Sequence, residues 1–241
     1  MQREAEIEMD ILKKRKKEKI SSARNENFLL TEKAPFAMQE AYKTLRTNVM
    51  LSLPGSDSKC LGITSACPGE GKSTTATNLA IALAQIGKRV LLVDCDLRLP
   101  TVAAKFRIPA VPGLSDFLAG QARIEDAVRL HETFGIHILP AGTIPPDPTG
   151  LLESAQMGHL IAALKKIYDY VIVDLPPATT VSDAAILTKY IDGYLLVTHI
   201  EHTEHRKINE MLRQMQMAGA NILGFVTTGG AASGSYYYYK R

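Results

Sequence analysis

The sequence predicts an α/β protein built on a doubly wound, mostly parallel sheet, and three features point there. Short apolar runs alternate with longer stretches of helical periodicity along most of the chain. Two of those runs, Val90-Leu91-Leu92-Val93 and Val171-Ile172-Val173, are continuously hydrophobic and end in aspartate. Strands buried on both faces of a parallel sheet read this way. The third feature is a glycine loop, Ala66-Cys67-Pro68-Gly69-Glu70-Gly71-Lys72-Ser73-Thr74, set between a strand-like and a helix-like stretch. Strand, glycine loop and helix in that order are the context a phosphate-binding loop requires.

Composition sets the outer limits. The chain has 241 residues, 46% of them hydrophobic, enough for one large domain with a full core plus extensions. A net charge of +3 is too small to argue for nucleic acid. No apolar run approaches the ~20 residues that cross a bilayer. The charged N-terminus lacks the apolar core of a secretory signal. Three cysteines (Cys60, Cys67 and Cys95) have no metal-ligand spacing, so reduced thiols of a cytoplasmic protein are expected.

Residues 1–34 form a charged arm, with Lys13-Lys14-Arg15-Lys16-Lys17-Glu18-Lys19 as its most basic run. A solvated arm is the plain reading. Contact with an anionic membrane face is the sharper one, at about 1 kcal/mol per basic residue near the surface. The main domain spans residues 35–228. It opens with a helix over 35–53, apolar at Met38, Ala41, Leu45, Val49 and Met50. Glu40, Lys43 and Arg46 follow one another at three-residue steps on another face. Pairing of Glu40 with Lys43 leaves Arg46 free for a neighbouring subunit.

In the glycine loop, Gly69 and Gly71 let consecutive backbone N–H groups point into one concavity, and Glu70 lies between them. The helix that follows adds its positive end. Lys72 supplies a full charge for β- and γ-phosphates, and the hydroxyl of Ser73, next to Thr74, is placed to ligate Mg²⁺. The run ending at Asp94 also delivers Asp96 and Arg98. Two carboxylates two residues apart repel unless a cation sits between them, and Mg²⁺ with nucleotide supplies one.

Loop and short helices are expected over 99–128, a strand at 136–139, a loop over 140–148 and a helix over 151–168. The strand 170–174 ends at Asp174, hydrophobic residues followed by aspartate in the pattern of a Walker B carboxylate. Helices over 182–190 and 204–217 and strands at 194–198 and 222–227 complete the alternation. His199, His202 and His205 fall three apart, but at a strand end and a helix entry, which argues against a metal set. Right-handed crossovers put the carboxyl ends of the strands on one edge, so the Lys72 loop, Asp94 and Asp174 converge. Residues 229–241 are a glycine- and serine-rich spacer followed by Tyr236, Tyr237, Tyr238 and Tyr239. Adjacent tyrosines at a terminus have no use in a core. The last strand is expected parallel to the others, so the tail starts on the nucleotide side, and a spacer of about eight residues reaches ~15 Å.

These motifs together resemble the bacterial tyrosine kinases, a P-loop NTPase-fold family unrelated to eukaryotic protein kinases, and most of all the cytoplasmic kinase subunits of capsular and exopolysaccharide synthesis. Pro68–Thr74 matches their Walker A loop, 92–98 their second motif (Walker A′) and 171–177 their Walker B. The resemblance implies an ATP- and Mg²⁺-dependent kinase whose tail tyrosines are its own substrate, presented to an adjacent subunit in a ring. It implies a separate transmembrane activator, a cognate tyrosine phosphatase, and a location at the inner face of the membrane. Asp94 is the expected proton acceptor, with Asp96, Asp174 and Ser73 serving Mg²⁺, although the three carboxylates are interchangeable on sequence alone. Lys43 replaces an arginine in the family's ring-forming Glu-Arg-Arg helix, losing the bidentate fork. Thr227-Thr228 stands where relatives show Leu-Asn. The alternative is a partitioning or division-site-positioning ATPase of the same superfamily. Those carry a lysine five residues before the Walker lysine, where this chain has Cys67.

Overall fold

The structure, a computed structural model, describes residues 29–55 and 57–230. The basic run at 13–19 and the four tail tyrosines lie outside the described residues. Seven strands form one sheet: β1 (Lys59–Ser65), β2 (Val90–Asp94), β3 (Arg129–His131), β4 (Ile136–Leu139), β5 (Tyr170–Asp174), β6 (Gly193–His199) and β7 (Ile222–Thr228). Their order across the sheet is β3-β4-β2-β5-β1-β6-β7. All neighbours run parallel except β3, which pairs antiparallel with β4 at the edge. That edge strand is absent from the sequence expectation, because Arg129-Leu130-His131 has neither the length nor the apolar run of the others.

The two faces of the sheet carry separate cores, as a sheet wound on both sides must. One face packs against α1 (Phe36–Ser52) and α2 (Lys72–Ala84), with Leu79, Ile81 and Leu83 against Leu61, Ile63 and Leu92. Helix α2 is buried almost all round because α1 covers its outer side. Short helices α3 (Val102–Phe106), α4 (Leu114–Leu118) and α5 (Ile124–Ala127) follow β2.

The helix expected over 151–168 is two helices, α6 (Pro148–Glu153) and α7 (Ala155–Ile167). Ser154 has non-helical ψ and accepts from the amide of Met157, so it breaks one helix and caps the next. Asp147 caps α6 with Pro148 in its first turn, which moves the helix start into the expected loop. Likewise 182–190 is a short α8 (Asp183–Ile186) followed by a 3-10 turn. Helices α7 and α9 (His205–Met217) cover the second face, the latter burying Met211 and Met215.

Register places the site. Asp94 at the end of β2 pairs directly with Asp174 at the end of β5. Ile63, two residues before the glycine loop leaves β1, pairs with Asp174 on the other side. β2 and β5 therefore stop at one level of the sheet, and β1 runs two residues past them into the glycine loop.

Candidate nucleotide site

The loop between β1 and α2 wraps the end of the sheet. Gly69 and Gly71 have φ of +82° and +94°, a left-handed backbone that a side chain would strain. Gly71 is also hemmed in: a Cβ there would lie 3.2 Å from the Thr228 methyl. Glu70 does not face solvent. It is 3% exposed, one carboxylate oxygen accepting from the Cys67 amide at 2.9 Å and the other from the Thr203 hydroxyl at 2.6 Å. Its carbonyl accepts from the Thr228 hydroxyl at 2.7 Å. The side chain of Glu70 thus shapes the loop from behind, and only backbone at this position is left for a phosphate.

Lys72, Ser73, Asp96 and Asp174 come together as the sequence predicts. The Lys72 ammonium lies 2.7 Å from Asp96 Oδ2, 3.2 Å from the Ser73 hydroxyl and 3.7 Å from Asp174 Oδ1. Burial works against the Lys72 charge, but Asp174, Asp96 and Asp94 outweigh it and raise its pKa. Asp174 is fully buried and neither oxygen has a formed hydrogen bond. Burial pushes its carboxyl up, opposed by Lys72 and the Ser73 hydroxyl beside it. Two orphaned carboxylate oxygens, a second carboxylate on Asp96 and a hydroxyl make a hard all-oxygen donor set, which fits Mg²⁺ better than a transition metal.

Asp94 is placed differently from Asp96. A cavity of about 350 Å³ is lined by the loop, Lys72, Asp96, Thr101, Lys105 and the Pro176-Pro177 turn, and Asp94 does not reach it. Its carboxylate accepts from the amides of Asp96, Thr101 and Val102. Burial pushes its pKa up to about 8, with the nearby Asp174 adding to the effect. Asp94 thus sits behind the cavity wall that Asp96 forms.

Several contacts around the site carried no sequence signal. Lys105 lines the cavity from α3 and donates to the Thr74 hydroxyl at 3.0 Å. Burial lowers its pKa. Only chain topology brings a helix residue 31 positions downstream against the loop. Arg98 donates to Thr149, which donates in turn to the buried Asp183, tying the turn after β2 to α6 and α8. Thr203 and Thr228 were equally invisible as loop supports.

On the expected oligomer face, Glu40 and Lys43 pair at 2.8 Å. Arg46 is not free, which corrects the sequence expectation. Its guanidinium is partly buried and donates to the carbonyl of Ala82 in the last turn of α2, at 2.9 Å. Carbonyls there lack intrahelical partners, so the arginine caps the helix.

Residues 58–222 match the family model of an AAA domain. The chain is 40% identical over 202 residues to the tyrosine-protein kinase YwqD of Bacillus subtilis, covering 83% of this chain and 85% of that protein. It is 38% identical over 189 residues to the tyrosine-protein kinase CpsD of Streptococcus agalactiae, covering 78% and 81%. Among solved structures, the kinase domain of Escherichia coli tyrosine kinase ETK superposes with a TM-score of 0.79 at 30% identity, over 88% of this chain and 86% of that one. The septum site-determining protein MinD of Pyrococcus horikoshii, complexed with Mg-ADP, is more distant, with a TM-score of 0.60 at 28% identity over 70% of each. With the loop, the paired strand-end carboxylates and these similarities together, the chain belongs to the bacterial tyrosine kinases, the P-loop family that includes the kinases of capsule and exopolysaccharide synthesis.

Proposed function

We propose that this chain is a protein-tyrosine kinase that uses ATP and Mg²⁺ to phosphorylate Tyr236, Tyr237, Tyr238 and Tyr239 of a neighbouring copy. One observation carries the reading beyond nucleotide binding. Strand β7 ends against the loop, with Thr228 bonded to Glu70, so the polypeptide that leads to the four tyrosines departs beside the nucleotide site.

The chemistry assigned to the residues is as follows. Bound Mg²⁺, held by Ser73, Asp96 and Asp174, would neutralise phosphate charge. The loop amides and the α2 N-terminus hold the phosphates, and Lys72 exchanges its carboxylate partners for phosphate oxygens. The tyrosine oxygen forms a bond to the γ-phosphorus as the bond to the ADP oxygen breaks. A tyrosine hydroxyl, with a pKa near 10, needs its proton accepted during the attack. Asp94, the acceptor expected from the sequence, stands directly behind Asp96 and outside the cavity, so Asp96 would take the proton, through the carboxylate oxygen it does not give to the metal. Through its own phosphorylation, and with a separate membrane-spanning activator, a cognate phosphatase and a ring-like assembly, the kinase would regulate polysaccharide synthesis at the inner membrane face.

The test is incubation with ATP and Mg²⁺, with an activator peptide added, followed by phosphotyrosine detection. The full chain is compared with one ending at Gly234 and with Lys72→Met. Signal in the full chain alone supports the reading; ATP hydrolysis with unmodified tyrosines sinks it. The second reading, a positioning ATPase, draws on the similarity to MinD. It predicts hydrolysis and dimerisation that are indifferent to removal of the tail.

A further inference from the structure

A second cavity, of about 640 Å³, opens beside the first and has no part in the chemistry above. It lies between the segment 29–35, α3 and the turn joining β3 to β4. Its lining combines two chemistries. Lys33, Lys105 and Arg107 supply positive charge, and no carboxylate is among the described lining residues. His131 and Phe134 supply aromatic surface, stacked at 5.0 Å between ring centroids, over the buried Phe106, which is tilted against His131 at 5.1 Å.

The ligand that answers all of this is an aromatic ring bearing a phosphate. The ring covers the Phe134 and His131 surface, and the phosphate faces the cations. We propose that this cavity docks the phosphorylated tyrosines of the chain's own tail. The inference rests on the proposed function for the origin of its ligand. Each phosphotyrosine brings about −1.5 to −2 charges at neutral pH. Tethering to the same assembly holds it at an effective concentration on the order of millimolar. A free nucleotide shares the aromatic-plus-phosphate chemistry, but the loop after β1 already provides for one. Lys105 lines both cavities, so a docked product would lie one side chain away from the loop, withdrawn from the carboxylates that repel it.

The test uses the full chain with Tyr236 to Tyr239 each replaced by Phe, without ATP, so that its own tail carries no phosphate. A fluorescent peptide of sequence Gly-Ser-Tyr-Tyr-Tyr-Tyr-Lys-Arg, synthesised with and without phosphate, is titrated by anisotropy. The phosphorylated form should bind at least tenfold tighter. Lys33→Glu, at an exposed position, and Arg107→Gln should each weaken it at least fivefold. Phosphotyrosine itself should displace the peptide and shift the ring resonances of His131. Equal binding of the two peptides, indifference to Lys33→Glu, a static His131 signal, or equal displacement by inorganic phosphate or AMP would each overturn the proposal. Because the peptide is phosphorylated by synthesis, failure here leaves the kinase assay unaffected, and a failed kinase assay leaves this binding measurable.

Discussion

Thr228, the last residue of β7, donates its hydroxyl to the carbonyl of Glu70 across 158 residues of sequence, at 2.7 Å. The phosphate loop is therefore braced by the strand that leads out to the tail. Thr228→Val keeps the shape and loses the bond. It should cost about 1 kcal/mol of stability and weaken ATP binding roughly fivefold, the same energy read as affinity. Thermal melting and nucleotide titration check the two halves separately. Unchanged affinity would mean that the loop holds its shape without this brace.

Arg46 carries an equally specific expectation. Arg46→Ala removes the cap on Ala82 and should lower the stability of the isolated subunit by about 1–2 kcal/mol, since hydrogen bonds to charged donors exceed neutral ones. Glu40→Ala breaks a surface pair and should cost under about 1 kcal/mol. Urea unfolding at a concentration where the chain is monomeric separates these effects from any role in assembly.

Gly113 lies where two backbone segments meet. A Cβ would stand 2.3 Å from the amide nitrogen of Gly142 and 2.4 Å from the carbonyl oxygen of Pro140. Neither can retreat as a flexible side chain would, so Gly113→Ala should cost about 3 kcal/mol or more. Gly135→Ala, with φ of +62° and open space around it, should cost only the backbone strain, about 1–2 kcal/mol. Denaturant melts of both variants test the difference.

The cysteines should separate by accessibility. Burial pushes the Cys60 thiol up to about 12, and Cys95 well above its ordinary value, so neither offers a thiolate near neutral pH. Cys67 is partly exposed, its pKa raised by burial and the neighbouring Glu70. A thiol reagent applied to the native protein should modify Cys67 alone, and slowly. Mass mapping of the labelled peptides decides it.

The sequence was most legible where one residue type can do a job. Lys72 and Ser73 follow glycines that only a phosphate loop needs, and Asp94 and Asp174 end runs that only a buried parallel strand explains. Their convergence followed from topology. What could not be read was contact made across long sequence separation. Thr203, Thr228 and Lys105 belong to residue types common on any surface, and nothing local distinguishes the ones that touch the loop. Arg46 was misread for the same reason: helical spacing showed its neighbours on α1, and the carbonyl it caps lies on another helix. The break at Ser154 was missed because the apolar pattern continues through it, while the serine hydroxyl ends one helix and starts the next. Asp94 and Asp96 were indistinguishable by spacing, and only the turn after β2 separates the one at the wall from the one behind it.

The register of β2 on β5 has a consequence beyond shape. Neighbouring strands run about 4.8 Å apart, so aligning Asp94 with Asp174 fixes two acids side by side with every hydrogen bond of the ladder. A slip of one residue would turn one of them into the opposite core. Backbone pairing thus doubles as an electrostatic instruction: assembling the sheet sets two acids against each other at its end, a cost that Lys72 meets in part and that an arriving cation would relieve.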